Sequence, residues 1–166
     1  MKRILVTGGK VGNYVAQGLA ENGFSVCVLV QKATKSSAWD RLDIEQIAGD
    51  LNDIGSLLPA LDGVDKFFSL SPLAENLVRL GINSIEAAER AGVRYVVRSS
   101  AMRADENAIT IGRWHREVEK ALESSGLAYT ILQPNAFMQN LLLSAESIKG
   151  GRRLLSTGGQ CQGQLH

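Results

Sequence analysis

The sequence predicts an α/β fold built on a doubly wound parallel sheet, in three layers and a single domain. Three observations carry this expectation. Short apolar runs alternate with amphipathic helical stretches along the chain. The runs are continuously apolar rather than alternating, as in strands covered on both faces. Glycines stand at the junctions, where a strand hands over to a helix or a helix ends.

The first strand is Ile4-Leu5-Val6, ended by Gly8 and Gly9. A helix follows with Val11, Val15 and Leu19 at four-residue spacing, closing near Asn22-Gly23. Residues 26–30 form the second strand, and so tight a strand-helix-strand unit implies parallel pairing through a right-handed crossover. The pattern recurs with a strand at 44–48, a helix at about 53–61 and a strand at 66–70. Val78, Ile82 and Ile85 mark a helix that stops at Gly92, before the strand Tyr95-Val96-Val97. Trp114, Val118 and Leu122 mark another, ending at Gly126 before a strand at 129–132. Six strands alternating with helices make a sheet of the Rossmann type. Phe137, Leu141, Ala145 and Ile148 suggest one further helix before Gly150-Gly151.

Bulk properties set bounds. A chain of 166 residues with 45% hydrophobic side chains supports one compact core. Lysine plus arginine (18) nearly balances aspartate plus glutamate (17), so no overall field favours nucleic acid or an anionic membrane. Cys27 and Cys161 stand in unrelated contexts and imply neither a metal site nor a disulfide framework; Cys27 reads as a small core residue. No apolar stretch approaches the roughly 18 residues a membrane span needs, and a cytoplasmic location is expected. The glycine- and glutamine-rich residues 158–166 are not expected to pack.

Thr7-Gly8-Gly9-Lys10-Val11-Gly12 lies between the first strand and the first helix, where a dinucleotide-binding sheet places a pyrophosphate. Residues without a Cβ let the backbone approach the phosphates, while free amides and the helix dipole favour negative charge. A tight βα turn with no ligand is the other reading of the same residues.

From here the sequence resembles a family, the atypical short-chain dehydrogenases of the NmrA-like type, which includes NADPH-dependent quinone reductases and redox-sensing regulators. The resemblance runs from Met1 to about Gly151. It rests on Ile4-Leu5-Val6-Thr7-Gly8, Ala48-Gly49-Asp50-Leu51, Ser69-Leu70-Ser71-Pro72, Val97-Arg98-Ser99-Ser100-Ala101-Met102, Trp114-His115-Arg116-Glu117 and Tyr129-Thr130-Ile131-Leu132-Gln133-Pro134-Asn135. It implies an NAD(P)-binding domain at 1–151 followed by an irregular tail at 152–166. The family spaces its glycines as G-x-x-G-x-x-G, whereas Gly8 and Gly9 are adjacent here, as though two residues had been removed. A shorter turn leaves the diphosphate less room.

The second strand ends in Val30-Gln31-Lys32, with Lys35 close behind and no acid before Asp40. A carboxylate there marks NAD, and a cation accommodates the 2′-phosphate of NADP, so NADP is favoured. Lys32 and Lys35 read equally as solvated loop charges. Asp50 and Leu51 match positions that flank adenine in the resembled family. Ser69 to Pro72 and Ser99-Ser100 stand at strand ends facing the crevice, with Ser69 a cofactor-site candidate and the hydroxyls of Ser71 and Ser99 candidates for ribose or nicotinamide contacts; Ser99 and Ser100 could instead cap the next segment.

No Tyr-x-x-x-Lys exists to supply the usual short-chain dehydrogenase acid. Alignment on Glu119 places Ile111 where that tyrosine would stand and His115 where the lysine would. His115 is the candidate catalytic group, on the expectation that its pKa lies near neutrality; a surface histidine is the alternative. Arg113, Arg116 and Glu117 are expected to form solvated ion pairs.

Resembled members continue beyond this point with elements that cover the substrate, so a C-terminally truncated domain is expected. The apolar segment 136–148 would then be buried in a homodimer or higher oligomer. Three functional readings stay open: a nucleotide-binding or redox-sensing module, an NADPH-dependent reductase of quinones or similar carbonyls, and a fragment that binds nothing.

Overall fold

The structure is a computed structural model that describes residues 3–32 and 37–135. The chain divides into two compact units, Met1–Gln133 and Pro134–His166, and every element described here belongs to the first. The helix and subunit interface expected at 136–148, the tail at 152–166 and Lys35 lie outside the described residues.

The elements run β1 (Arg3–Thr7), α1 (Lys10–Glu21), β2 (Ser25–Val30), α2 (Ser37–Arg41), β3 (Glu45–Ala48), α3 (Ile54–Leu61), β4 (Val64–Ser69), α4 (Leu77–Arg90), β5 (Tyr95–Ser99), α5 (Thr110–Ser124) and β6 (Ala128–Leu132). All six strands pair in parallel in one sheet, in the order β3-β2-β1-β4-β5-β6. The doubly wound sheet is therefore present with the expected strand number. Strand ends shift by one or two residues; the larger shifts are in β4, which begins and ends earlier than the apolar run 66–70 suggests, and β5, which extends through Arg98 and Ser99. Helix α2 was not anticipated, because five residues are too few for a helical period to show. Its Trp39 is buried against the sheet beside Ile44.

Alternation along the strands sorts side chains into two cores. Leu5, Cys27, Leu29, Phe67 and Val96 face α3, α4 and α5, while Ile4, Val6, Val26, Val28 and Phe68 face α1 and α2. The result is three layers, with helices on both faces of the sheet. Cys27 is buried in the first core, as expected of a small apolar residue. Where α4 crosses α5, Val118 is fully enclosed and lies over Gly81; burying such a side chain contributes about 1.5–3 kcal/mol relative to exposure.

The chain runs outward from β1 to β2 and β3, then returns to place β4 on the other side of β1. That reversal opens a crevice at the carboxyl ends of β1 and β4, which is where open parallel sheets receive ligands.

Candidate functional site

The corner between β1 and α1 explains each of its glycines. Gly8 donates its amide to the Leu29 carbonyl at 3.0 Å, and a Cβ there would stand 2.7 Å from the same oxygen. Gly9 holds φ at 102°, a left-handed value that favours glycine, and nothing lies within 4 Å of where its Cβ would be. Gly12 packs α1 directly onto β1, since a Cβ would come within 1.8 Å of the Thr7 carbonyl oxygen.

The first intrahelical bond of α1 runs from Asn13 N–H to the Gly9 carbonyl at 2.8 Å. Among the described residues, the amides of Gly9, Lys10, Val11 and Gly12 donate to nothing, and no side chain caps the helix. Although two residues shorter than the G-x-x-G-x-x-G spacing, the turn keeps four unpaired amides at a positive helix end. The corner thus suits a diphosphate.

The corner borders a cleft of about 920 Å³, whose wall includes Gly9 but not Lys10. Of the residues expected at a cofactor site, Thr7, Gly8, Gly9, Gln31, Lys32, Asp50 and Leu51 line it. Val11 and Gly12 lie in the first turn of α1 and do not line the wall. The Thr7 hydroxyl is already engaged, accepting from Leu70 N–H at 2.8 Å and donating to the Phe68 carbonyl at 3.3 Å, so it ties β1 to β4. Leu70 and Pro72, from the run 69–72 expected to face the crevice, also line it; Leu29, Val30, Gly49, Asn52 and Leu80, not expected as site residues, complete the wall. Only strand register tells which apolar side chains reach it.

Asp50 is held firmly. Its Oδ1 accepts from the Asn52 amide and from Asn52 Nδ2, each at 2.9 Å, and its own amide donates to Ser56 Oγ at 2.9 Å. The two bonds from Asn52, the backbone one first, hold its carboxyl below the usual carboxylate range, with Gln31 and Arg79 adding to the effect. Asn52 in turn accepts from Arg79 at 2.6 Å, and Leu51 from Asn83 at 2.9 Å, so the loop after β3 is fastened to α4. The end of β2 therefore presents a neutral amide, Gln31, beside an ionised Asp50, with exposed Lys32 next in sequence.

Ser69, Ser71, Ser99 and His115 do not line this cleft; all four are buried, and Ser69 and Ser71 belong to a polar cluster at the ends of β4 and β5. At its centre is Arg98, which is 0% exposed. Its Nη1 donates to Ser69 Oγ at 3.2 Å and Ser71 Oγ at 3.0 Å. The chain has a direction. Ser84 Oγ donates to the Gly81 carbonyl at 2.7 Å, so Ser69, which lies 3.0 Å from Ser84 Oγ, is the donor between the two hydroxyls. Ser71 accepts from Arg98 and keeps its own proton to donate.

Glu119, 2% exposed, accepts from Ser100 Oγ at 2.6 Å, Gln133 Nε2 at 2.8 Å and Arg116 Nη1 at 3.1 Å. Helix α5 begins at Thr110 with Ile109 at its cap, so neither Ser99 nor Ser100 caps it. Burial lowers Arg98 to about 10, which leaves it charged at neutral pH.

His115 is buried, so the surface alternative falls. The expectation that it titrates near neutrality is also corrected. Burial, and then the charge of Arg98, push it down to about 4 against an opposing pull from Glu119. The ring is uncharged at neutral pH. The expected ion pairs on α5 are likewise rearranged: Arg116 pairs with Glu119 and Glu123, while Arg113 bonds the Ala108 carbonyl and Thr110 hydroxyl, and no ion pair of Glu117 is found among the described residues.

Arg98 and Glu119 were missed as members of the site. A signal existed: Arg98 is two residues beyond Val96, so an apolar strand with period two places it on the same covered face. No group of histidine, cysteine and acidic residues suited to a metal ion occurs among the described residues. Nor is any helix among them long and apolar enough to cross a membrane.

Fold, crevice and glycine corner together define a dinucleotide-binding α/β domain. A family model described as NAD(P)H-binding matches residues 7–160, and the chain belongs to that family. It is 38% identical over 149 residues to the NAD(P)H azoreductase of Xenophilus azovorans, covering 88% of this chain and 52% of the relative. It is 31% identical over 148 residues to quinone oxidoreductase 2 of Escherichia coli, covering 86% and 51%. Among solved structures, an NADPH-dependent quinone oxidoreductase from Escherichia coli in complex with NADPH superposes with a TM-score of 0.80 at 29% identity, covering 89% of this chain and 54% of the other. The chain thus spans about half the length of these relatives.

Proposed function

We propose that the chain binds NADPH through its residues 1–151, in preference to NADH, and acts as a nucleotide-binding module of the NmrA-like type. The observation that carries this reading is the set of unpaired amides at Gly9, Lys10, Val11 and Gly12, at a corner whose Gly8 and Gly9 line a cleft that also includes Gln31 and Asp50. The diphosphate lies on those amides, with the adenosine toward Asp50 and Leu51. Lys32, and Lys35 beyond it in sequence, are assigned to the 2′-phosphate, and no acid follows β2 in sequence before Asp40. Ser71, with a proton to donate, Ser99 and His115 are assigned to the nicotinamide end, while the Ser69 hydroxyl, engaged by Arg98 and Ser84, helps to hold Ser71 and Arg98 in place. Bound NADPH supplies a hydride; these residues supply orientation and hydrogen bonds.

A second reading, reduction of a quinone or similar carbonyl, is favoured by the named activities of the relatives. Hydride transfer to such an acceptor does not require a strong protein acid, which agrees with the absence of a Tyr-x-x-x-Lys pair and with an uncharged His115. The protein is proposed to be cytoplasmic and to self-associate through residues 136–148. Calorimetric titration with NADPH and NADH tests the first reading: saturable binding, tighter for NADPH, is expected, and no heat with either nucleotide refutes it. NADPH consumption with a quinone panel separates the two readings.

A further inference from the structure

Three side chains at the start of α4 reach across to the loop that follows β3. Asn76 Nδ2 donates to Asn52 Oδ1 at 3.4 Å, Arg79 Nη2 donates to the same oxygen at 2.6 Å, and Asn83 Nδ2 donates to the Leu51 carbonyl at 2.9 Å. Their spacing of three and then four residues puts all three on one side of the helix. Asn52 passes the contact on. Its Nδ2 and its backbone amide both donate to Asp50 Oδ1, each at 2.9 Å.

The chemistry of the two ends allows the Asn52 amide one orientation. A guanidinium has only donors and an ionised carboxylate only acceptors, so the amide oxygen faces Arg79 and the amide nitrogen faces Asp50. A cation on that oxygen polarises the amide and strengthens its N–H groups as donors. The Asp50 carboxylate is thereby gripped by one oxygen, Oδ1, while Oδ2 keeps lone pairs with which to accept. Asp50 and Asn52 line the cleft, whereas Arg79 does not. Among the described residues Arg79 forms no ion pair with Asp50, so its hydrogen-bonded route to the carboxylate runs through Asn52.

We propose that Arg79, from outside the cleft, is a positioning residue for the adenosine half of the nucleotide, acting through Asn52 to hold the Asp50 carboxylate in one orientation. The inference rests on the nucleotide-binding reading above. The exocyclic amine carries the N–H donors of adenine, and a carboxylate held by one oxygen offers it the other. The groups facing Asp50 are Gln31 from the end of β2, Asn52 and Ser56 beyond β3, and Arg79 from α4, the one cation among them.

The test is calorimetric titration of the parent, Arg79→Ala, Asn52→Ala and the double variant with two nucleotides: NADPH, and its reduced hypoxanthine analogue, in which a carbonyl replaces the amine. Arg79→Ala should weaken NADPH about fivefold, the scale of coupling within one hydrogen-bonded network, and leave the analogue unchanged. On the Asn52→Ala background the same substitution should cost nothing further. Losses that multiply in the double variant, or equal losses for both nucleotides, overturn the proposal, because Arg79 would then act by its charge alone. Asp50 also reports without nucleotide. Its carboxyl midpoint, followed by NMR of the ¹³C-labelled chain, should rise in Arg79→Ala and in Asn52→Ala, and rise no further in the double variant than in Asn52→Ala. An unmoved midpoint in Arg79→Ala overturns the relay. A parent that binds neither nucleotide refutes the nucleotide-binding reading and this role with it, whereas a parent that binds NADPH no more tightly than Arg79→Ala does removes Arg79 alone.

Discussion

Gly12 lies so close to Thr7 that a Cβ on it would come within 1.8 Å of the Thr7 carbonyl oxygen. The contact is with backbone, so no side-chain rotation relieves it. It sets how closely α1 approaches β1, and hence where the unpaired amides at the start of the helix stand.

Gly12→Ala should therefore destabilise the fold by about 3 kcal/mol, at the upper end of ordinary overpacking, and weaken NADPH binding in any folded fraction. Urea unfolding followed by circular dichroism reads the first effect. A stability within 0.5 kcal/mol of the parent, roughly the scatter of neutral surface changes, would show that the helix shifts freely.

A Cβ on Gly81 would meet Val118 Cγ2 at 2.6 Å where α4 crosses α5. Gly81→Ala is expected to lose about 2 kcal/mol by overpacking, and Val118→Ala about 2 kcal/mol by leaving a cavity. In the double variant the new methyl occupies the vacated space, so its loss should fall below the total of the two single losses by about 1 kcal/mol or more. Strict additivity in chemical denaturation would mean that the two helices do not share this contact.

Lys32 is exposed at the rim of the cleft, next to Gln31. Replacing it with alanine should weaken NADPH about tenfold, or about 1.4 kcal/mol, and leave NADH unchanged. Equal losses for both nucleotides, measured by calorimetry, would place the 2′-phosphate elsewhere.

The pH dependence of stability carries the imprint of His115. Its folded pKa is lowered to about 4, whereas the unfolded chain titrates near the ordinary 6.5. Between those values the unfolded state binds the extra proton, so stability rises with pH. The contribution is whole above about pH 6.5 and is lost as the pH falls toward 4, about 3 kcal/mol in all on the scale of 1.4 kcal/mol per unit. Unfolding free energies at pH 7, 6 and 5 should fall in the parent and much less in His115→Asn. Asp50 and Glu123, whose carboxyls are also held low, act in the same direction but only at the acid end of that window. Parallel pH profiles for parent and variant would remove His115 from the account.

The apolar runs, the glycines at their ends and the four-residue helical spacing made the six strands and their alternation with helices readable in advance, because each is local in the chain. Gly8, Gly9 and Gly12 were legible as a tight turn between β1 and α1 for the same reason. The five-residue α2 and the true ends of β4 and β5 were not, since hydrogen bonding to neighbouring strands decides where a strand stops. His115 was legible as a position but not as a chemical group: its neighbours along α5 are charged, and nothing local says that this face turns inward.

What the amino-acid order determined by itself was the class of fold and the glycine corner between β1 and α1. Only the tertiary structure decided that Thr7 ties two strands, that Ser69 and Ser71 gather around Arg98 instead of lining the cleft, and that His115 stays uncharged. The physical reason is that desolvation and partner choice depend on what packs from distant parts of the chain. Register and layer order set them, and no short stretch of sequence encodes either.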